Sequence, residues 1–210
     1  MAQPDSGADH ESRIRLELVL LCTALALTLV SVVPASTGDV PGWERAVFRA
    51  INDLPRILYR PVWIVMQFGS FWAIVTAAGL AVAFRHFRLA SALAMAGGAA
   101  YLLANALKSI VGRGRPLALL ADVHIRGQVV TGNGYPSGHA AVAFALASVL
   151  WLVTEGRLRW IAPIAAIVVC FARVYVGAHF PLDVVGGAAL GTACGAGVGL
   201  VLRVRSSAAG

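Results

Sequence analysis

The residues best suited to chemistry lie in one stretch, residues 173–183, between two long apolar runs. It holds Arg173, His179 and Asp183, so a cation, an imidazole and a carboxylate fall within eleven residues. Charged groups at a membrane boundary are costly to hold, and their presence there indicates a functional site. Asp183 follows His179 by four residues, which lets the carboxylate orient one ring nitrogen and leave the other free to attack.

Two further polar clusters supply partners for this stretch. Lys108 and Arg115 add cations to Arg173, and arginine can bind a phosphate group in bidentate fashion. Ser137 and Gly138 stand at the start of an apolar run, where free backbone N–H groups of a helix favour an anion. A cation cluster of this kind calls for an anion with several oxygens, and phosphate fits best.

Two histidines and one carboxylate complete a candidate centre for phosphoryl transfer. His179 is the candidate nucleophile, His139 can protonate the leaving oxygen as a general acid, and Asp183 can stabilise positive charge on the His179 ring. The cations would stabilise charge on the equatorial oxygens during in-line transfer. Because arginine and lysine supply this charge, we expect no metal and no other cofactor. A metal site built from the two histidines and the carboxylate stays open as an alternative.

The composition is that of a membrane protein. Of 210 residues, 59% are apolar and only 13% are charged, against about 25% charged in soluble domains. The net charge of +7 lies in short segments between apolar runs, which favours contact with membrane lipids over nucleic acid. Cys22, Cys170 and Cys194 lie inside apolar runs, and their odd number and wide spacing argue against disulfides or a zinc site.

Apolar runs predict an all-α fold, a six-span transmembrane helical bundle. A span needs about 20 residues to cross a hydrocarbon core of about 30 Å, so the fourth run is expected to extend into flanking residues. The first run also fits a signal peptide, although we favour a retained span. The runs cover roughly residues 18–35, 61–84, 89–107, 140–153, 160–176 and 183–202.

The remaining segments complete the domain plan. Residues 1–15 are polar and predict a disordered N-terminal tail. Residues 16–205 then form a single membrane-embedded domain whose core motifs span 108–183. Between spans one and two, residues 36–60 predict an interfacial amphipathic segment that Pro55 divides into two short helices. Its apolar face would hold Trp43, Val47, Ala50, Ile51, Leu54 and Leu58, and its opposite face Arg45, Arg49, Arg56 and Arg60.

Topology brings the polar clusters together. Alternation of six spans puts Lys108, His139 and Asp183 on one face of the membrane, and both termini on the other. The termini face carries Arg13, Arg15, Arg85, Arg88, Arg157, Arg159, Arg203 and Arg205. When site and interfacial cations are set aside, the positive-inside rule places the termini in the cytoplasm. The site then faces the extracytoplasmic side of the inner (plasma) membrane.

The three motifs together resemble the type 2 phosphatidic acid phosphatase family of integral membrane lipid phosphatases, which shares its site with vanadium haloperoxidases. They read Lys-x6-Arg-Pro, Pro-Ser-Gly-His and Arg-x5-His-x3-Asp. The resemblance covers residues from roughly 61 to 202, and the combination is specific although each motif alone is weak. It implies a phosphohistidine at His179, support from Asp183, His139 as the acid, and phosphate binding by Lys108, Arg115, Ser137, Gly138 and Arg173.

One departure from the family pattern concerns the third motif, which commonly opens Ser-Arg where this chain has Ala172-Arg173. One hydrogen bond to phosphate is therefore in question. Three other assignments stay undecided or structural. Arg113 is either a second phosphate contact or a headgroup anchor, the glycine-bearing loop 117–135 is a candidate mobile cover, and His86 and His124 are read as structural.

The expected activity is hydrolysis of a phosphomonoester or diphosphate of a lipid. An undecaprenyl-type diphosphate is the first candidate, with phosphatidic acid, phosphatidylglycerol phosphate and glycosylated polyprenyl phosphates as others. A lipid phosphotransferase with the same phosphohistidine intermediate stays open. So does a non-catalytic transporter or scaffold for anionic lipids, although binding alone would require only the cations.

Overall fold

The structure, a computed structural model, describes residues 6–202, and every regular element in that range is helical. The all-α prediction is therefore confirmed for this part of the chain. Residues 1–5, Arg203 and Arg205 lie outside the described residues. The α-helices are α1 (Ser6–Ser36), α2 (Gly42–Asn52), α3 (Tyr59–Met66), α4 (Phe71–Ala83), α5 (Phe87–Val111), α6 (Pro116–Leu119), α7 (Gly138–Val153), α8 (Ile161–Tyr175) and α9 (Pro181–Leu202). Short 3₁₀ turns precede α3, α4 and α8.

The first helix, α1, includes part of the predicted tail. The helix begins at Ser6, inside the segment 1–15 for which the composition predicts disorder. Arg15 pairs with Glu11 at 2.6 Å, a contact between residues that lie on one helix face. The apolar run that follows continues the same helix to Ser36.

Candidate membrane spans number four in the described part of the chain, or five if a bent pair counts as one. The six predicted spans are thus not confirmed, for two reasons. The chain bends by 64° between the segments Arg56–Gly69 and Phe71–Ala83. Ser70 lies at the bend and caps α4 by accepting a hydrogen bond from the N–H of Ala73 at 3.3 Å. The fourth predicted span, α7, has only 16 residues.

One face of α2 packs against the rest of the protein. Trp43 and Val47, which the apolar pattern places toward the membrane interface, are exposed and do not pack against the protein. Glu44, Phe48 and Asn52, which recur every four residues, are fully buried instead. The face is chosen by what α2 packs against, and that includes charged and polar partners that periodicity does not reveal.

An alanine-rich core joins α4, α5, α7 and α9. Small side chains at four-residue spacing on α5 let neighbouring helices approach closely. This packing fixes the C-terminal end of α5 near the N-terminal end of α7. Its buried members are Ile74, Ala81, Ala90, Ala92, Leu93, Ala96, Ala100, Ala104, Ala141, Val142, Ala145, Leu146, Val149 and Leu190.

Glycines on α9 allow the tightest helix contact near the motifs. A Cβ added at Gly191 would lie 2.1 Å from the carbonyl oxygen of Ala141, and one at Gly187 would lie 2.4 Å from that of Ser137. Only glycine leaves room for the α7 backbone at these positions. The N-terminal half of α9 is consequently held against the N-terminal half of α7.

Candidate active site

The three sequence motifs meet at one end of the helix bundle. Backbone bonds join them: the N–H of Ser137 donates to the carbonyl of Asp183 at 2.9 Å, and the N–H of Gly134 donates to that of Arg113 at 2.7 Å. The side-chain amide of Asn133 also donates to the carbonyl of Lys108 at 2.8 Å. The ends of α5, α7, α8 and α9 therefore converge, as alternation of spans predicts.

His179 lies at the centre of this assembly, with a relative exposure of 1%. Its Nε2 is 3.3 Å from NH1 of Arg115, and its Nδ1 is 3.5 Å from Oδ2 of Asp183. Because arginine can only donate, the first contact directs the Nε2 lone pair toward Arg115 and puts the proton on Nδ1. Nε2 is then the nitrogen able to attack.

The pKa of His179 lies well below the usual 6.5. Burial is the main cause, followed by the positive charges of Arg173, Arg115 and Lys108. The imidazole is therefore neutral at physiological pH, which is the form a nucleophile requires. The Nδ1 contact to Asp183 is longer than a formed hydrogen bond, and such contacts commonly tighten in substrate complexes.

Asp183 is fixed by the first turn of α9, which Pro181 opens. Its Oδ2 accepts a hydrogen bond from the backbone N–H of Phe180 at 2.9 Å, one half of a capping box. Its Oδ1 accepts one from NH1 of Arg113 at 2.9 Å. These two hydrogen bonds hold the carboxylate in an orientation in which Oδ2 faces His179.

The three predicted phosphate-binding cations lie together. Arg115 is held by hydrogen bonds to the carbonyls of Ala178 at 2.8 Å and Thr131 at 3.1 Å. Arg173 is 6% exposed, and its buried Nε lacks a hydrogen-bond partner. Lys108 is within electrostatic range of both arginines. Three like charges at short range repel one another, and a polyanion between them would relieve that repulsion.

Ser137, Gly138 and His139 form the beginning of α7. Ser137 occupies the N-cap position, and its buried hydroxyl lacks a hydrogen-bond partner, so it can bond an added ligand. A Cβ added at Gly138 would lie 3.6 Å from Nζ of Lys108, which puts the helix N-terminus beside that cation. His139 is half-buried and interacts electrostatically with Arg173, His179, Lys108 and Arg115.

Arg113 has neither of the two roles considered from the sequence, a second phosphate contact or a headgroup anchor. It is 1% exposed, so it is no headgroup anchor, and its guanidinium binds carboxylates. It donates to Asp183 and also to both oxygens of Glu44, at 3.1 Å and 2.5 Å. Glu44 is a site residue that motif reading missed. No spacing in the sequence singles out Glu44, because its burial depends on partners distant in sequence, Arg113 and Leu182.

The loop between α6 and α7 is fastened to α2 and α8. Asn52 donates to the carbonyls of His124 and Tyr175, both at 3.0 Å, and accepts from the N–H of His124 at 2.9 Å. Arg126 donates to the carbonyl of Tyr175 at 2.7 Å and lies 4.2 Å above its ring. These bonds restrain residues 124–126, so any mobile cover must come from the remainder of the loop.

Candidate metal ligands and cysteines are both present among residues 6–202. In that range no group of three or more His, Cys, Asp or Glu side chains is arranged to hold a metal ion. Cys22, Cys170 and Cys194 are free thiols. The carboxylate of Asp183, a candidate ligand by type, is instead bonded to Arg113 and Phe180.

Solved structures share this fold. The crystal structure of Aquifex aeolicus LpxE matches with a TM-score of 0.67 and 28% identity, over 75% of this chain and 93% of that one. A transmembrane PAP2 type phosphatidylglycerolphosphate phosphatase from Bacillus subtilis matches with a TM-score of 0.70, over 87% and 97%. At 22% identity, that second likeness is one of fold.

Sequence comparison points the same way. The undecaprenyl-diphosphatase of Sulfolobus acidocaldarius is 35% identical over 94 residues, which are 44% of this chain and 45% of that protein. The chain spans less than half the length of the curated relatives it matches. Residues 87–206 match the family model described as PAP2 superfamily. They include all three motifs and more than half of the chain, which therefore belongs to the PAP2 superfamily.

Proposed function

We propose that this protein is an integral membrane lipid phosphatase that works through a phosphohistidine. One observation carries the proposal: the His179 ring lies between Arg115, 3.3 Å from Nε2, and Asp183, 3.5 Å from Nδ1. A phosphate bound by Arg115 would sit beside the nitrogen that attacks. The carboxylate stands beside the nitrogen that gains positive charge as the bond forms.

In the first step, Nε2 of His179 forms a bond to phosphorus while the bond from phosphorus to the lipid oxygen breaks. His139 donates a proton to that leaving oxygen. The positive charges of Lys108, Arg115 and Arg173 stabilise the equatorial oxygens as charge develops on them. Ser137 and the backbone at the start of α7 bond the same phosphate.

In the second step, water attacks the phosphohistidine. His139, now neutral, accepts a proton from the water, the bond between Nε2 and phosphorus breaks, and inorganic phosphate leaves. The same residue serves as acid and then as base, so the cycle returns every proton. The neighbouring cations supply the charge that a metal ion supplies in other phosphatases, so the proposed reaction needs no cofactor.

The proposed membrane arrangement has six crossings in a single domain, residues 16–205. We count α1, the bent pair of α3 and α4, α5, α7, α8 and α9. The 16 residues of α7 extend about 24 Å at 1.5 Å per residue, so flanking residues at both of its ends complete the crossing. The termini are cytoplasmic, and the site opens at the extracytoplasmic face of the plasma (inner) membrane.

The proposed substrate is a lipid phosphomonoester or diphosphate. An undecaprenyl-type diphosphate is the first candidate, and the name of the Sulfolobus relative supports it. Phosphatidylglycerol phosphate is the second, in line with the name of the Bacillus structure. Phosphatidic acid and glycosylated polyprenyl phosphates complete the set. The headgroup is recognised mainly by the cations, because the loop between α6 and α7 is too short to form a separate domain.

A substrate panel tests the proposal. Purified full-length protein in detergent is given undecaprenyl diphosphate, phosphatidylglycerol phosphate or phosphatidic acid, with a metal chelator present throughout. Phosphate release from at least one lipid is the expected result. Transfer of phosphate to an added lipid alcohol in place of water would indicate a phosphotransferase. Binding of all the lipids without any phosphate release, or release only with a divalent metal, would contradict the proposal.

A further inference from the structure

We propose that Glu44 is a positioning residue for the reaction, acting through Arg113 on Asp183. Its carboxylate is completely buried, and burying a charge is costly unless partners compensate it. The compensation comes from the site itself. Arg113 donates to both carboxylate oxygens, and the backbone N–H of Leu182 donates to Oε1 at 2.9 Å. This inference rests on the proposed phosphoryl transfer to His179.

Glu44 and Asp183 share the two terminal nitrogens of the Arg113 guanidinium. Arginine tends to bind a carboxylate through both of its terminal nitrogens. Here Glu44 takes both, and only NH1 is shared with Oδ1 of Asp183. Oδ2 of Asp183 is thereby left for Phe180 and His179. Without Glu44, Arg113 would be free to bind both oxygens of Asp183 and turn its carboxylate away from His179.

The charge of Glu44 also favours a role in the reaction. Glu44, Arg113 and Asp183 are all buried, and two carboxylates with one guanidinium carry a net charge of −1. That charge lies beside Nδ1 of His179, where positive charge develops as Nε2 bonds to phosphorus. Neutralising Glu44 would leave a balanced pair of Arg113 and Asp183, which stabilises the charged ring less.

Glu44 also contacts the helix that carries Asp183. Glu44 accepts from Leu182 and Asp183 accepts from Phe180, so two carboxylates satisfy free N–H groups at the start of α9. Negative charge at a helix N-terminus is also favourable. Glu44 belongs to α2, and it therefore ties the first turn of α9 to an element far away in sequence.

Steady-state kinetics with the full-length protein in detergent test the inference. Glu44→Gln keeps the size of the side chain and loses its charge, and we expect kcat to fall about 10- to 100-fold. KM should stay within about twofold, because the phosphate-binding cations are untouched. Glu44→Asp restores the charge and should recover much of kcat. Asp53→Asn removes an exposed carboxylate just after α2 and should match the wild type in kcat and KM.

A double-mutant cycle separates positioning from simple loss of stability. If Glu44 acts through Asp183, Glu44→Gln should lower kcat little further in an Asp183→Asn background. A general structural role would lower kcat by the same factor in both backgrounds, and thermal unfolding of each variant monitors stability. Should Glu44→Gln fail to fold, Glu44→Asp carries the test, with a kcat loss of about 2- to 10-fold expected from the shorter side chain.

The outcomes distinguish this inference from the proposed function. A folded Glu44→Gln variant with wild-type kcat would overturn the inference alone, provided that wild-type protein releases phosphate and His179→Ala does not. A loss confined to KM would overturn it as well, because Glu44 would then act in substrate binding. A wild-type protein without turnover on any lipid phosphate would overturn the function, and the inference with it.

Discussion

Arg115 and His179 belong to different motifs and lie 64 positions apart, yet NH1 of Arg115 lies 3.3 Å from Nε2 of His179. The contact fixes which ring nitrogen carries the lone pair, since arginine cannot accept a hydrogen bond. It also marks the place of the substrate, because a phosphate bound by Arg115 would lie in front of that nitrogen. Binding and attack are thus coupled through a single pair of residues.

The role of His139 as acid and base predicts a kinetic signature in His139→Ala. With 4-nitrophenyl phosphate, whose leaving group needs no proton, the first step should persist while attack by water becomes slow. We expect a burst of nitrophenolate of about one equivalent per enzyme, followed by a slow steady state. Turnover of a lipid phosphate by His139→Ala at the wild-type rate would contradict this role.

The lowered pKa of His179 predicts the acid side of the pH profile. The ring must be neutral to attack, and its pKa lies well below 6.5 because of burial and the neighbouring Arg173, Arg115 and Lys108. The acid limb of kcat/KM that reports His179 should therefore lie well below pH 6.5. Lys108→Met removes one positive neighbour, makes the protonated ring less costly and should move this limb to higher pH.

Profiles of kcat/KM against pH for both proteins, taken with the same substrate, check this prediction. Ionisation of the substrate phosphate, with a second pKa of about 6, is common to both and cancels in the comparison. The position of the limb is the readout, since Lys108→Met also weakens substrate binding. A limb at the same pH in both proteins would show that Lys108 does not act on His179.

Close packing of α7 against α9 predicts an unequal response of two glycines. An added Cβ at Gly191 would lie 2.1 Å from the carbonyl oxygen of Ala141, whereas one at Gly197 meets nothing within 4 Å. Gly191→Ala should cost about 1–3 kcal/mol of stability through overpacking. Gly197→Ala should be neutral, or stabilising by up to about 1 kcal/mol, because alanine favours helix. Thermal unfolding in detergent measures both, and equal effects would contradict the packing.

The motifs could be found from the sequence for two reasons. Their chemistry depends on residues that are close together in the chain, and their convergence depends only on the alternation of spans. His179 and Asp183 are four residues apart, and alternation of spans suffices to bring Lys108 and His139 to the same face. In the structure, His179 lies 3.5 Å from Asp183, and Lys108 and His139 interact electrostatically with His179. Their roles in catalysis remain predictions for the experiments described here.

Glu44 and the bend before α4 lay beyond that reasoning for a physical reason. A buried carboxylate is tolerable only when a tertiary partner such as Arg113 neutralises it, and the periodicity of apolar residues does not reveal such a partner. The bend depends on contact between distant segments as well. An added Cβ at Gly69 would lie 2.4 Å from the carbonyl oxygen of His139, a proximity that only the folded chain reveals.

Detection of the covalent intermediate tests the phosphohistidine mechanism most directly. The wild-type protein is mixed with a lipid phosphate, quenched in base because phosphohistidine is labile in acid, digested and analysed by mass spectrometry. We expect a phosphoryl group on His179 that forms within one turnover, and a His179→Ala variant that lacks both the adduct and turnover, with a rate loss on the order of 10⁴-fold or more. Phosphate on another residue, or a His179→Ala variant that still releases phosphate from the lipid, would contradict this mechanism.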